Sequence, residues 1–232
     1  MKTSKIIFIS LLGAVALLIL AAFIDLKING HKSNTYPADV FKVNKTNIPA
    51  FKILCLSNCG DIELISKDSS SIEMICKKDS LLPHLNYAIK GDTLYMYDTK
   101  KSNYKTTSYK VCFTNSLSCI VLKNSDISLN NMLSGNLSLK LDESSINMNT
   151  SSTEKPSLAS IDIIARNHSS FTTGEFKVDS MSLVLVNSEA NLEIIAKKIH
   201  GILSDSSSIS ARQPEEISMK KDSSSKISVN DY

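Results

Sequence analysis

The stretch Asp142-Glu143-Ser144-Ser145-Ile146-Asn147-Met148 decides the fold, because it returns along the chain. The same arrangement, a short corner of Asp, Asn, Glu and Ser before an alternating apolar pair, stands at Lys123-Asn124-Ser125-Asp126-Ile127-Ser128-Leu129 and at Asn167-His168-Ser169-Ser170-Phe171. It recurs at Asn187-Ser188-Glu189-Ala190-Asn191-Leu192-Glu193-Ile194, at Asp205-Ser206-Ser207-Ser208-Ile209-Ser210-Ala211 and at Asp222-Ser223-Ser224-Ser225-Lys226-Ile227-Ser228-Val229. With Ile127, Ile146, Phe171, Leu192, Ile209 and Ile227 as markers, the steps are 19, 25, 21, 17 and 18 residues, with a mean of 20. Repetition at such a period is the mark of a repeat architecture.

A second alternating segment precedes most of these corners, as in Leu137-Ser138-Leu139-Lys140-Leu141, Ile161-Asp162-Ile163 and Met181-Ser182-Leu183-Val184-Leu185. Alternation of period two means that one side of each short strand is buried. A lone pair of strands has nothing to bury that side against, whereas units stacked about 4.8 Å apart share one continuous apolar interior. The expected fold is therefore all-β, a single-domain parallel β-helix or solenoid with rungs of about 20 residues. The 25-residue step holds Thr150-Ser151-Ser152-Thr153-Glu154-Lys155-Pro156, a polar insertion that such a stack loops out. Helices are disfavoured here, because frequent Ser, Asn, Thr and Asp compete for the backbone and the apolar runs are short.

Asx and Ser side chains at the corners bond the turn backbone and tolerate left-handed conformations. Calcium on Asp142, Asp205 and Asp222 is the rival reading. Calcium-binding β-rolls need Gly-Gly-x-Gly-x-Asp repeats, and this chain has seven Gly in all.

At the N-terminus, Lys2 and Lys5 precede an apolar stretch from Ile6 to Ile24, 19 residues long. At 1.5 Å per residue it reaches about 28 Å, close to bilayer thickness. It is longer than a secretory h-region and lacks a small-x-small cleavage site, so it reads as an uncleaved anchor. No Cys directly follows it to accept a lipid. Lysines nearly balance across the stretch (Lys2 and Lys5 against Lys27 and Lys32), and the polar, Ser-rich remainder is expected outside the cytoplasm. The expected organisation is a cytoplasmic 1–5, a transmembrane anchor 6–24, a linker 25–47 and a β-solenoid head domain 48–232.

The net charge of +3 comes from interspersed residues, and Arg166 and Arg212 are the only arginines, which argues against nucleic acid as partner. Cys55, Cys59, Cys76, Cys112 and Cys119 are an odd set. Cys55 with Cys59, or Cys112 with Cys119, could pair across a turn, although Cys also serves as a small hydrophobe on a strand face. His31, His84, His168 and His200 show no ligand spacing. No catalytic, cofactor or metal residues are nominated. The rival from another class is a polysaccharide-active β-helix enzyme, for which Arg166 with Asp162 is the one pairing the sequence offers. Asp79-Ser80-Leu81, Asp92-Thr93-Leu94 and Asp179-Ser180-Met181 resemble O-glycosylation acceptors of exported Bacteroidetes proteins, a pattern ordinary turns share.

Upstream, Gly60-Asp61-Ile62-Glu63-Leu64 follows a strand-like Phe51 to Leu56. Then come Asp68-Ser69-Ser70-Ser71-Ile72, Leu81-Leu82-Pro83-His84-Leu85 and Gly91-Asp92-Thr93-Leu94. This order resembles the head GIN domain of candidate auto-transporter adhesins, exported proteins common in Bacteroidetes, over about residues 48 to 230. The chain departs from that family in having Asp-Ser-Ser corners in place of Gly-Ser-Gly. The resemblance implies a β-helical body and adhesion, and brings no catalytic residues. The expected function is a non-enzymatic, membrane-anchored envelope protein with a binding or structural solenoid. Its expected partners are the membrane, a protein or carbohydrate ligand, and a second copy through an open solenoid end. An envelope scaffold is the remaining alternative.

Overall fold

A computed structural model describes residues 41–77, 86–99, 108–114, 117–130, 135–149, 157–212 and 214–230. Its first strands are β1 (Phe41–Asn47), β2 (Ile53–Ser57), β3 (Ile62–Ser66), β4 (Ser71–Lys77), β5 (Tyr87–Lys90), β6 (Thr93–Tyr97) and β7 (Ser108–Phe113). The repeats supply β8 (Cys119–Lys123), β9 (Asp126–Asn130), β10 (Gly135–Asp142), β11 (Ser145–Asn149), β12 (Ser157–Arg166) and β13 (Ser170–Thr173). They continue through β14 (Lys177–Val186), β15 (Glu189–Leu192), β16 (Ile195–Ser204), β17 (Ser208–Arg212), β18 (Glu216–Lys221) and β19 (Lys226–Asn230). Even-numbered strands from β8 onward stack in a nine-stranded sheet ordered β18-β16-β14-β12-β10-β8-β2-β6-β5. Odd-numbered ones stack in a ten-stranded sheet, β1-β4-β7-β3-β9-β11-β13-β15-β17-β19. This is the β-solenoid the repeats predict. The anchor expected at 6–24 lies outside the described residues.

The register shows what repeats. Ile127 pairs with Ile146, Ile146 with Phe171, Phe171 with Ala190, Ala190 with Ile209 and Ile209 with Ile227. Hydrogen bonds between equivalent corners span 19, 25, 19 and 19 residues. The fourth marker is therefore Ala190 and not Leu192, which stacks two residues further on, against Thr173 and Ala211. Both face inward, so period-two reasoning could not tell them apart; a shift of two residues keeps the same face. Phe171, without accessible surface, has Ala190 as its next-rung neighbour, and this large-on-small stacking hid the marker.

The corners are built on a ladder of buried serines. Ser125, Ser144, Ser169, Ser188 and Ser207 each donate their hydroxyl to a carbonyl of their own corner, at 2.6–2.9 Å. The hydroxyls of Ser144, Ser169, Ser188 and Ser207 each accept the N–H of the preceding rung's serine, from Ser125 through Ser188, at 3.1–3.3 Å. Each hydroxyl thus satisfies one buried N–H and spends its own hydrogen on a corner carbonyl, which is why so polar a residue can sit at the core's edge. Before each serine stands a left-handed residue: Asn124 (φ 47°), Glu143 (49°), Asn187 (48°), or the pairs Asn167-His168 and Asp205-Ser206. With one such residue the hydroxyl reaches the carbonyl two positions back, and with two it reaches three back. The variable corner length is absorbed there without disturbing the ladder.

The N-terminal part departs from simple winding. β2 and β3 lie beside β8 and β9, although about 66 residues separate the two rungs, as the Asn124 to Asn58 side-chain bond of 2.9 Å shows. The intervening chain turns back to place β6 and β7 on the other side of β2 and β3, in parallel, before crossing to β8. β4 runs antiparallel to β7 and β5 antiparallel to β6, so the expected purely parallel stack is corrected at this end. β1 lies within the stretch expected as linker. Cys59 takes the ladder position here: its N–H donates to Ser125 Oγ at 3.0 Å and its thiol donates to the Ser57 carbonyl at 3.6 Å.

At the last corner Asp222 replaces the backbone ladder with a carboxylate. Its Oδ1 accepts the N–H groups of Ser224 and Ser225 at 3.1 and 2.8 Å, and its Oδ2 accepts the Asp205 N–H at 2.8 Å. Hydrogen bonds from Ser225, then from the Asp205 N–H, lower its pKa from an ordinary 3.8 to about 2. A carboxyl with a depressed folded-state pKa contributes stability above its unfolded value, and that contribution is lost as pH falls through the folded one. The window here is 3.8 down to about 2. Thermal scans of Asp222→Asn are expected to fall less steeply across that window than those of the parent, and parallel curves would contradict the assignment.

Candidate ligand-binding face

The two sheets present different outer faces. On the ten-stranded sheet the outward columns are polar, with Asp126, Ser145, Ser170, Glu189, Ser208 and Lys226 in one register row. Many of these groups bond one another, as Ser145 to Asp126 at 2.7 Å and Asn130 to Glu63 at 2.8 Å. Part of the hydrogen-bonding capacity of this face is used within the sheet.

The nine-stranded sheet differs. Its central outward row runs Tyr95, Cys55, Val121, Lys140, Ile164, Val184, Ile202 and Lys220, paired strand to strand. Over eight strands this row is about 34 Å long. Ile164 is 37% exposed and Ile202 51%, with Val184 between them. The adjacent row carries Tyr97, Ser57, Lys123, Asp142, Arg166 and Val186. An open groove of about 400 Å³ crosses both rows, lined by Val121, Lys123, Lys140, Asp142, Ile164 and Arg166. Scattered surface apolar residues need no explanation, but a contiguous apolar row on a regular surface marks an interaction face. Three cations edge this groove against one carboxylate, Asp142, which already accepts the Asn167 amide at 2.6 Å. Such a surface suits a ligand with an apolar face and anionic or hydroxyl groups, such as an acidic glycan or a peptide strand.

Other depressions are narrower in chemistry. One of about 450 Å³ surrounds the Arg212–Glu175 pair, 3.1 Å apart. Another of about 310 Å³ lies over the corner ladder at His168, Asn187 and Ser206.

The residues weighed in the sequence fall as follows. Asp162 and Arg166 are four positions apart on β12, about 13 Å along the strand, so they do not converge as a catalytic pair. Asp142 and Asp222 are engaged in corner hydrogen bonds. All five cysteines are free, so neither Cys55–Cys59 nor Cys112–Cys119 is bridged. Cys55 and Cys119 lie on neighbouring strands two register positions apart, too far diagonally for a disulfide. Burial, and then the nearby Cys119, push the Cys55 thiol up, away from a reactive thiolate. His200 lies exposed on β16, while His31 and His84 lie outside the described residues. Of the three acceptor-like triplets, 79–81 lies outside the described residues. The Asp92 carbonyl receives the N–H groups of Lys52 and Ile53, and Asp179 pairs with Lys197 at 2.6 Å. The outward row of the nine-stranded sheet carries no signal in the sequence, because its members are scattered over eight strands and joined only by register.

No family model matches the chain, and no curated protein does. Solved structures do. A candidate adhesin of Bacteroides fragilis superposes with a TM-score of 0.60 at 13% identity, covering 84% of this chain and 99% of that one. A candidate adhesin of Parabacteroides merdae gives 0.54 at 14% identity, covering 82% and 96%. One of Parabacteroides distasonis gives 0.50 at 12% identity, covering 83% and 97%. At such identities the likeness shows a shared fold: the chain has the β-solenoid of these Bacteroidetes proteins over nearly their whole length.

Proposed function

We propose that this protein is a non-enzymatic, adhesin-like binding module of the bacterial cell envelope, of the head GIN type. In this reading the apolar segment 6–24 anchors it in the membrane, and the solenoid stands outside the cytoplasm. The observation that carries the proposal is the apolar row Ile164, Val184 and Ile202 beside Lys123, Lys140 and Arg166, on a sheet face that no other described element covers. The shared fold with candidate adhesins supports it.

The test uses beads carrying the full chain, offered to immobilised glycans and extracellular-matrix proteins. Wild-type beads are expected to be retained on at least one surface. The double variant Ile164→Lys, Ile202→Lys should lower retention by about tenfold or more, since it removes apolar contacts and adds unpaired charge at the centre of the face. Its thermal unfolding should match wild type within about 0.5 kcal/mol, as both sites are exposed. Equal retention of the variant would contradict the proposal.

A further inference from the structure

Among the described residues, none closes the solenoid's core at its last rung. Ile217 and Met219 of β18 pair in register with Ile199 and Gly201, and Ile227 and Val229 of β19 pair with Ile209 and Ala211. These are inward positions; Ile199, Ile209 and Ala211 are each 1% exposed. Yet Ile217 is 38% exposed and Val229 41%. Among the described residues β18 and β19 are the outermost strands of their sheets at this end, so each carries a row of backbone donors and acceptors that no described strand pairs.

The sequence of β18 says what fits there. Read against a second copy of itself in antiparallel direction about Ser218, Glu216 meets Lys220, Ile217 meets Met219, and Ser218 meets Ser218. Glu216, Ser218 and Lys220 point outward, while Ile217 and Met219 point to the core, so charges face charges and apolar residues face apolar residues. Each cross-strand pair contributes in the favourable sense, and the two-fold axis repeats the Glu216–Lys220 pair. Lys198, 3.2 Å from Glu216, leaves that carboxylate available to a second cation, because both groups remain well exposed.

We propose that two copies of this chain pair end to end through β18, antiparallel about Ser218, with the neighbouring apolar edge of β19 closing over the same junction. A dimer consumes the β18 edge of both copies, and β5, at the opposite end of the same sheet, lacks this self-complementary sequence, so pairing through β18 stops at two. β1, at the opposite edge of its sheet, then lies at each far end of the joined stack. This inference stands on the strand edge and does not depend on the ligand-binding face.

Sedimentation velocity of the full chain in detergent micelles tests it between about 1 and 100 µM, the range suited to an interface of this small size. The wild-type chain should shift from monomer to dimer across that range. E216K alone, and K220E alone, should each weaken association about tenfold by setting like charges opposite one another. An equimolar mixture of the two should recover it, because the edge carrying two lysines then faces the edge carrying two glutamates, and so should the double variant E216K/K220E. A wild-type monomer at every concentration, assemblies larger than two, or association indifferent to both single changes would each overturn the proposal. All variants lie on the exposed edge, and circular dichroism superimposable on wild type shows that folding is retained.

Discussion

Gly201→Val is expected to abolish folding of the C-terminal rungs. Gly201 occupies an inward position of β16, between Leu183 of β14 and Met219 of β18. A Cβ there would stand 1.9 Å from the Leu183 carbonyl oxygen and 2.8 Å from its carbon. Those atoms belong to a backbone held in the parallel ladder on both sides, so they cannot yield as a flexible side chain would. Overpacking of ordinary side chains costs about 1–3 kcal/mol, and a main-chain collision exceeds that. Gly201→Ala should already lose about 3 kcal/mol, and Val more. Chemical denaturation of the full chain measures this directly. An Ala variant within about 0.5 kcal/mol of the parent would mean that β16 is not stacked on β14 in this register.

The second large effect is expected from the corner ladder. Ser169→Ala removes one hydroxyl and orphans the buried Ser144 N–H, while the Arg166 carbonyl loses its hydroxyl donor and keeps the Glu143 N–H at 3.3 Å. A buried group left unsatisfied costs about 1–3 kcal/mol, so the substitution should destabilise by about that much. Ser170→Ala, one residue away with its side chain facing outward, is the control and should stay within about 0.5 kcal/mol. Equal effects at the two sites would remove the ladder from the account. The comparison separates the ladder from general intolerance of substitution in a Ser-rich corner.

How much of this was legible in the sequence depends on distance along the chain. From Ile127 onward, neighbours in space are about 20 residues apart, and both the corner and the alternating pair repeat visibly. The corner's Ser was readable as a turn former, but not as a buried ladder, because its second partner lies one rung away. Leu192 stands in for Ala190 in the sequence pattern because both face the core and the periodic signal is blind to a shift of two. The N-terminal rungs were not legible in order. Asn58 meets Asn124 across 66 residues and Asp98 across 40, and no local pattern announces which strand returns beside which. Cys59 was hidden for a related reason, since it does a serine's work with a different side chain. The candidate face was the least visible. Ile164, Val184 and Ile202 read individually as ordinary solvent-side positions, and become a surface only when parallel register aligns them.

The proposed binding face and the proposed end-to-end junction meet at Lys220, the last member of the outward row, whereas Glu216 lies outside that row and Ile164 and Ile202 lie away from the edge strand. The account thus predicts that E216K weakens association while leaving bead retention intact, and that the lysine variants at Ile164 and Ile202 do the reverse. Ligand is proposed to be held on the outer face of the nine-stranded sheet. Hydroxyl-radical footprinting of the full chain, free and bound to whichever surface retains it, tests this most directly. The account predicts protection at Tyr95, Tyr97, Ile164 and Ile202, with reactivity unchanged along the polar row from Asp126 to Lys226. Protection of the polar row, with Ile164 and Ile202 still fully reactive in the bound state, would contradict it.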